Sequence, residues 1–286
     1  MKNVFFFLFL FIFLNSCAQD TKETLENEIK PRQDSLKTDS TTQAIFLPEK
    51  NYRSIHVFVA LCDNEHQGIL PVPEKIGNGK DPRNNLYWGC GYGVKTYFQK
   101  KSPDWKLIKS IEPKKDYILE RLLFKHKDSA VYLLADAIDG EQIEQANINM
   151  LLSLSGNFLD TIYYKNKCLQ FGGQADLIAY TGHDYIMDYD IDIDLKPVDT
   201  IKREAIILAC ASADYYAPYV KKTGAYPLLW TTNLMAPEAY SLEAAIAGWV
   251  LHESVSEIER RAAKSYSDHH SHCSMKGAMG LFQTGW

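Results

Sequence analysis

Two apolar runs end in side chains that together make a covalent catalyst. Asp176-Leu-Ile-Ala-Tyr-Thr-Gly182-His183 ends in an imidazole, and Glu204-Ala-Ile-Ile-Leu-Ala-Cys210 ends in a thiol. A thiol beside an imidazole is a nucleophile with its base. Both runs are short, apolar without alternation, and bounded by polar residues or glycine. That is the pattern of strands buried on both faces of a parallel sheet. Ligands of open α/β sheets sit at the carboxyl ends of the strands, so two such strands bring His183 and Cys210 to one rim. The stretch between them exceeds the dozen or so residues that a parallel crossover needs. Taken singly, Cys210 reads equally as an inert buried thiol, and His183 as a rim histidine bonded to a loop. The pair in this order carries the chemical reading.

Other residues are expected on the same rim. Asp63 follows the run Ser54–Cys62, Asp136 ends Ala130–Asp136, and Asp184, Asp188 and Asp214 flank the pair. A rim lined by these acids would favour a basic side chain in a substrate. In Trp230-Thr-Thr-Asn233-Leu-Met-Ala-Pro237-Glu238-Ala-Tyr240, Trp230 and Asn233 are candidates to line a pocket, and Glu238 to orient His183. Pro237 and Ser241 alone would mark only the start of a helix. The carboxylates of Asp188, Asp190, Asp192 and Asp194 alternate strictly. They suit a hard cation, but the wet face of an extra strand explains them more simply. Asp268-His269-His270-Ser-His272-Cys273 lacks the paired spacing of a zinc site and reads as a solvated helix end. Gly89-Cys-Gly91-Tyr-Gly93 and Gly77-Asn-Gly79-Lys80 lack the spacing of nucleotide-binding loops. No metal or cofactor is expected.

The order of elements resembles that of the caspase-like, or clan CD, cysteine peptidases. There the catalytic histidine ends one strand as His-Gly and the cysteine ends the next. Ala209-Cys210 after Ala205-Ile-Ile-Leu matches the second motif, and the likeness spans Ser54 to Tyr219. At the first motif Gly182 precedes His183, and Asp184 stands where the family has glycine. The resemblance implies a three-layer α/β sandwich, with Cys210 as nucleophile and His183 as proton carrier. Backbone N–H groups near Gly182 and Asp184 would hold the oxyanion, against which an ionised Asp184 would work. The expected activity is hydrolysis of a peptide or amide bond. The rival is a non-catalytic domain of that fold binding a partner or ligand at the rim.

Met1-Lys-Asn followed by the apolar run Val4–Leu14 has the form of a secretory signal, too short to span a bilayer. Leu14-Asn-Ser-Cys17 resembles a bacterial lipobox, in which the cysteine is acylated. Residues 1–16 are read as the signal, 17–50 as a lipidated polar tether, and 51–286 as one domain. Several acyl chains on Cys17 would anchor the protein stably, outside the cytoplasm, at the periplasmic or cell surface. Five further cysteines leave an odd thiol. With 31 Lys and Arg against 36 Asp and Glu, the net charge is −5, and no basic stripe points to nucleic acid. Strands are expected at 54–62, 105–111, 130–136 and 226–232, and helices at 84–98, 141–155, 211–222 and 241–267. Their alternation predicts a mostly parallel sheet with helices on both faces.

Overall fold

The central sheet forms from runs with no polar face to offer water. In β1 (Arg53–Ala60) every residue after the first is buried. Ile55, Val57 and Val59 enter one core while Phe58 and Ala60 enter the other. The computed structural model describes residues 50–286; the signal, Cys17 and nearly all of the tether lie outside the described residues. After β1 come α1 (Val94–Lys100), β2 (Trp105–Ile111), β3 (Ile118–His126), β4 (Val131–Ile138) and α2 (Ile143–Ser155). A hairpin of β5 (Leu159–Tyr164) and β6 (Lys167–Gly172) precedes β7 (Leu177–Thr181) and β8 (Glu204–Leu208). Then follow α3 (Ser212–Thr223), β9 (Tyr226–Thr231), α4 (Ala239–Val250), α5 (Val255–His269), α6 (Met275–Leu281) and β10 (Phe282–Gln283).

The eight-stranded sheet runs β10-β9-β8-β7-β1-β4-β3-β2, and β5-β6 form a separate ribbon. Strands β4, β1, β7, β8 and β9 are parallel; β2, β3 and β10 are antiparallel additions at the edges. Met150, Leu154, Tyr216 and Val220 of α2 and α3 pack one face, while Phe98, Ile246, Ile258 and Ala262 of α1, α4 and α5 pack the other. This is the expected α/β class, a three-layer sandwich with a mostly parallel sheet.

Local chemistry explains where elements depart from expectation. The helix expected over 84–98 begins only at Val94. The chain before it coils so tightly that a Cβ at Gly89 or Gly93 would overlap backbone. The helix expected over 241–267 is two helices. His252 turns the chain at φ +57, and Ser254 caps α5 by accepting the Glu257 N–H at 3.3 Å. Glu253 then pairs with Arg261, closing a helical hairpin. The acidic stretch is an irregular loop rather than a strand, with Ile191 and Leu195 buried and its other side wet. The β5–β6 hairpin was not expected at all.

That hairpin is tied to the sheet by a buried charge network. Arg121 on β3 forks onto Asp136 of β4 through Nε (2.7 Å) and Nη2 (2.6 Å), and reaches Asp160 of β5 as well. His56 Nε2 stands 3.1 Å from the same Asp136, while its Nδ1 accepts the Gly172 N–H at 3.0 Å. The proton of a neutral His56 therefore sits on Nε2. Burial pushes the Asp136 carboxyl up, but Arg121 and His56 more than offset this and hold it below its ordinary value. Asp136 is thus a core residue in mid-strand, not a rim acid. Removing one member of a buried ion network leaves the others desolvated and unpaired, at about 3–5 kcal/mol. Arg121→Met is therefore expected to lower the urea midpoint by an equivalent amount with an unchanged m-value; a midpoint equal to wild type would contradict this role.

Candidate functional site

The geometry of the rim follows from one register. Thr181 on β7 pairs with Leu208 on β8, and the Gly182 N–H continues the ladder to the Leu208 carbonyl at 3.3 Å. His183 and Cys210 each stand two residues beyond that pair, so they leave neighbouring strands at the same level.

Beyond Cys210 the chain turns sharply into α3. Ala211 takes the left-handed conformation at φ +47, which costs a non-glycine residue about 1–2 kcal/mol. Hydrogen bonds hold it there. The Ala211 N–H donates to the Asn233 carbonyl at 2.9 Å, Ser212 Oγ donates to the Ile207 carbonyl at 2.7 Å, and the Thr231 N–H donates to Ser212 Oγ at 3.0 Å. Strained backbone of this kind concentrates at functional sites.

Cys210 is partly buried, with Sγ 3.7 Å from the Met235 carbonyl oxygen. Burial pushes its thiol up and the Asp184 charge adds to this; the Met235 carbonyl, an acceptor, favours the protonated form. At rest, therefore, it is protonated at neutral pH. The His183 imidazole is largely covered, and its Nε2 meets Asp188 Oδ2 at 2.8 Å. With the proton on Nε2 facing Asp188, Nδ1 carries the free lone pair. Its carbonyl accepts the Tyr180 hydroxyl at 2.7 Å, and behind it Tyr180, Asn147 and Tyr216 form a buried polar chain. Among the described residues, no hydrogen bond joins His183 to Cys210.

Asp184 is fully buried. One carboxylate oxygen accepts the Met187 N–H at 3.0 Å, and Oδ2 has no hydrogen-bond partner. Burial pushes its carboxyl up to about 7. Its protonation therefore changes around neutral pH. The opposition to an oxyanion expected from this residue is correspondingly reduced.

The remaining rim candidates divide. Asn233 lines a cavity of about 650 Å³ with Tyr266, His269, His270 and Lys276, and no carboxylate lines it. Asp63 lines a separate cavity of about 370 Å³ beyond β1. There it is spent locally, accepting the Glu65 N–H at 2.8 Å and bonding His66 Nδ1 at 3.0 Å. Neither cavity is lined by His183 or Cys210. Asp214 is exposed in the first turn of α3. Trp230 is only 1% exposed and packs edge-on to Trp286 at 5.3 Å; it is a core side chain, not a pocket wall. Glu238 lies 4.0 Å from His270 rather than at His183, and Asp188 holds the orienting place. The acid-lined pocket for a basic side chain does not form, because its carboxylates are buried, bonded elsewhere or dispersed. Asp188 was expected on the rim, but its orienting role was given to Glu238, and Tyr180 was not expected at the site; the sequence signal for Asp188 is an acid five residues after His183.

His56, Asp136 and Asp160 offer ligand atoms within 4.8 Å of one another. The Arg121 guanidinium already bridges both carboxylates and stands in the place of a cation.

Asp184 gives a signed pH dependence. Its folded value of about 7 exceeds the unfolded value near 3.8. Between those limits the unfolded chain releases the proton and the native state keeps it. Native stability therefore falls as pH rises through this window, by a few kcal/mol in all, and is level above it. Asp184→Asn, which stays neutral, is expected to abolish that fall in urea melts at pH 4.5 and 8. It should also speed alkylation of Cys210 above pH 7, where the wild-type carboxylate opposes the thiolate. Unchanged pH dependence in the variant would contradict the assignment.

No protein-family model, curated protein or solved structure significantly matches the chain.

Proposed function

We propose that the rim is the active site of a thiol-dependent hydrolase of peptide or amide bonds, with the caspase-like arrangement. The observation that carries this reading is Cys210 on a strained strand-to-helix turn, level with His183 on the adjacent parallel strand. Asp188 on the far nitrogen supplies the third group that orients a catalytic imidazole. On substrate binding, His183 Nδ1 takes the thiol proton and the sulfur attacks the carbonyl carbon. The Gly182 N–H, expected to share this task, is spent on the Leu208 carbonyl, so the backbone N–H at His183 or Asp184 is left to meet the developing oxyanion. The C–N bond then breaks as the imidazolium protonates the leaving amine, and water, deprotonated by His183, hydrolyses the thioester. The resting thiol is protonated, so this scheme makes nucleophile activation a consequence of substrate binding. We also propose that Cys17 is acylated and that the domain works outside the cytoplasm; among the described residues, no helix is long and apolar enough to cross a membrane.

A second reading, a rim that binds without catalysis, draws on the raised thiol and the missing Cys–His bond. Digestion of a mixed peptide library by the full chain, read by mass spectrometry, separates the two. Cleavage should vanish in Cys210→Ala and fall by roughly 10²–10⁴-fold in His183→Ala, the usual worth of a positioned general base. Cleavage that survives Cys210→Ala, or an intact library together with a Cys210 inert until denaturation, favours the binding rim.

A further inference from the structure

At the opposite end of the sheet from the rim, β2, β3 and the β5–β6 hairpin enclose a groove of about 630 Å³. Lys106, Lys125, Lys165 and Lys167 line it with Tyr132 and Tyr164, and no carboxylate does. Lys106 pairs across the ladder with Lys125, and Lys125 with Tyr132 near the amino end of β4. The Lys167 and Lys165 ammonium groups lie 6.0 Å from the Tyr132 ring and 5.5 Å from the Tyr164 ring. Lys125 Nζ bonds only the His126 carbonyl, at 3.1 Å. No carboxylate lines the groove to neutralise its four lysines, so it is a positive site on a chain of net charge −5.

Protection of an edge strand accounts for Lys106 on β2; it does not account for the hairpin tip. Tyr164 pairs with Lys167, leaving a two-residue loop in which Lys165 adopts φ +51. Glycine is preferred at such a position, so a lysine is kept there at a conformational cost. Beside Lys165 and Lys167, the outward face of β5 exposes Tyr163 (73%). Lysines with long apolar stems beside an exposed tyrosine form the composition of a membrane-interface surface. The chain also enters the domain here. The Tyr52 hydroxyl donates to the Cys168 carbonyl at 3.1 Å and accepts the Gln170 N–H at 2.8 Å, and its ring meets Tyr132 edge-on at 5.6 Å. The first described residues therefore lie at the amino end of the sheet, where Lys50 also bonds Asp176 at 2.6 Å.

We propose that this face docks on an anionic phospholipid surface. The four lysines contact headgroup phosphates, and Tyr163 settles at the interface. Docking in this way turns the carboxyl-end rim, with His183 and Cys210, away from the bilayer. The inference depends neither on hydrolysis at the rim nor on acylation of Cys17, which would only raise the local concentration of lipid.

Cys168, exposed on the hairpin opposite Tyr163, is a native reporter. The full chain is treated with a membrane-impermeant maleimide, and the Cys168 peptide is followed by mass spectrometry. Vesicles of phosphatidylcholine mixed with phosphatidylglycerol should slow its modification about tenfold or more, whereas phosphatidylcholine alone should not. Lys165→Gln with Lys167→Gln should weaken vesicle affinity by about fivefold per lysine, and Tyr163→Ser should weaken it without changing its salt dependence. The buried Cys62 staying unreactive shows that each variant is folded, and Cys17→Ser should protect Cys168 as wild type does. Equal protection by both vesicle types, protection indifferent to the lysines, or protection by heparin with no response to vesicles would overturn the proposal.

Discussion

Thr181 and Leu208 face each other across the β7–β8 ladder, and the groups at the candidate site take their height from that pairing. Both strands are buried on each face, so neither slides nor rotates without taking apolar side chains out of a core. The ladder continues through the Gly182 N–H, which brings His183 level with Cys210. The Ala211 turn, pinned to β9 through Ser212, Thr231 and Asn233, then sends the chain into α3. The loop after β9 closes the arrangement from the side: Thr181 Oγ1 donates to the Pro237 carbonyl at 2.8 Å, and the Met235 carbonyl faces the thiol. A site built on strands in this way is positioned more rigidly than one carried by a long loop.

Two buried acids meet opposite fates in this scaffold. Asp136 is surrounded by donors, a guanidinium fork and an imidazole, and remains ionised at the join of sheet and hairpin. Asp184 lies against the rim with one oxygen capping a turn and the other unpartnered, and its proton is held to near neutrality. The first arrangement fastens the fold. The second leaves a titratable group beside a thiol, so that the electrostatics of the candidate site change with pH where those of the core do not. Asp188 acts from the solvent side of His183, where a mobile substrate or loop can compete for the same imidazole.

Much of this was legible in the chain because burial leaves a local mark. Uninterrupted runs such as Ala205-Ile-Ile-Leu-Ala209 have few other folded uses, and they announced a parallel sheet and the strand ends that bear His183 and Cys210. What could not be read depends on tertiary partners. Asp136 reads as the end of a strand, and only its neighbour Arg121 makes it a core ion. Trp230 reads as a pocket wall, yet α3 covers it. The hairpin was hidden because Leu159–Gly172 alternates weakly and turns at Lys165-Asn166 rather than at a glycine. The lysine groove is assembled from three separated segments, so no stretch of sequence is basic enough to reveal it. The break at Leu251–Ser254 was hidden by helix-forming residues on both sides, although Ser254 is a good cap.

The two ends of the parallel sheet thus carry different chemistries: a thiol and an imidazole at one, gathered ammonium groups and exposed aromatic surface at the other. In the proposed hydrolase, Cys210 and His183 act as a coupled pair when the thiol ionises. The rate of Cys210 alkylation by a peptidyl chloromethyl ketone, which fills the rim as a substrate does, followed from pH 5 to 10 in wild type and in His183→Ala, tests it most directly. A wild-type profile with a component near neutral pH that disappears without His183, leaving a single step at high pH, is expected. Superimposable profiles would contradict it and make Cys210 an ordinary half-buried thiol.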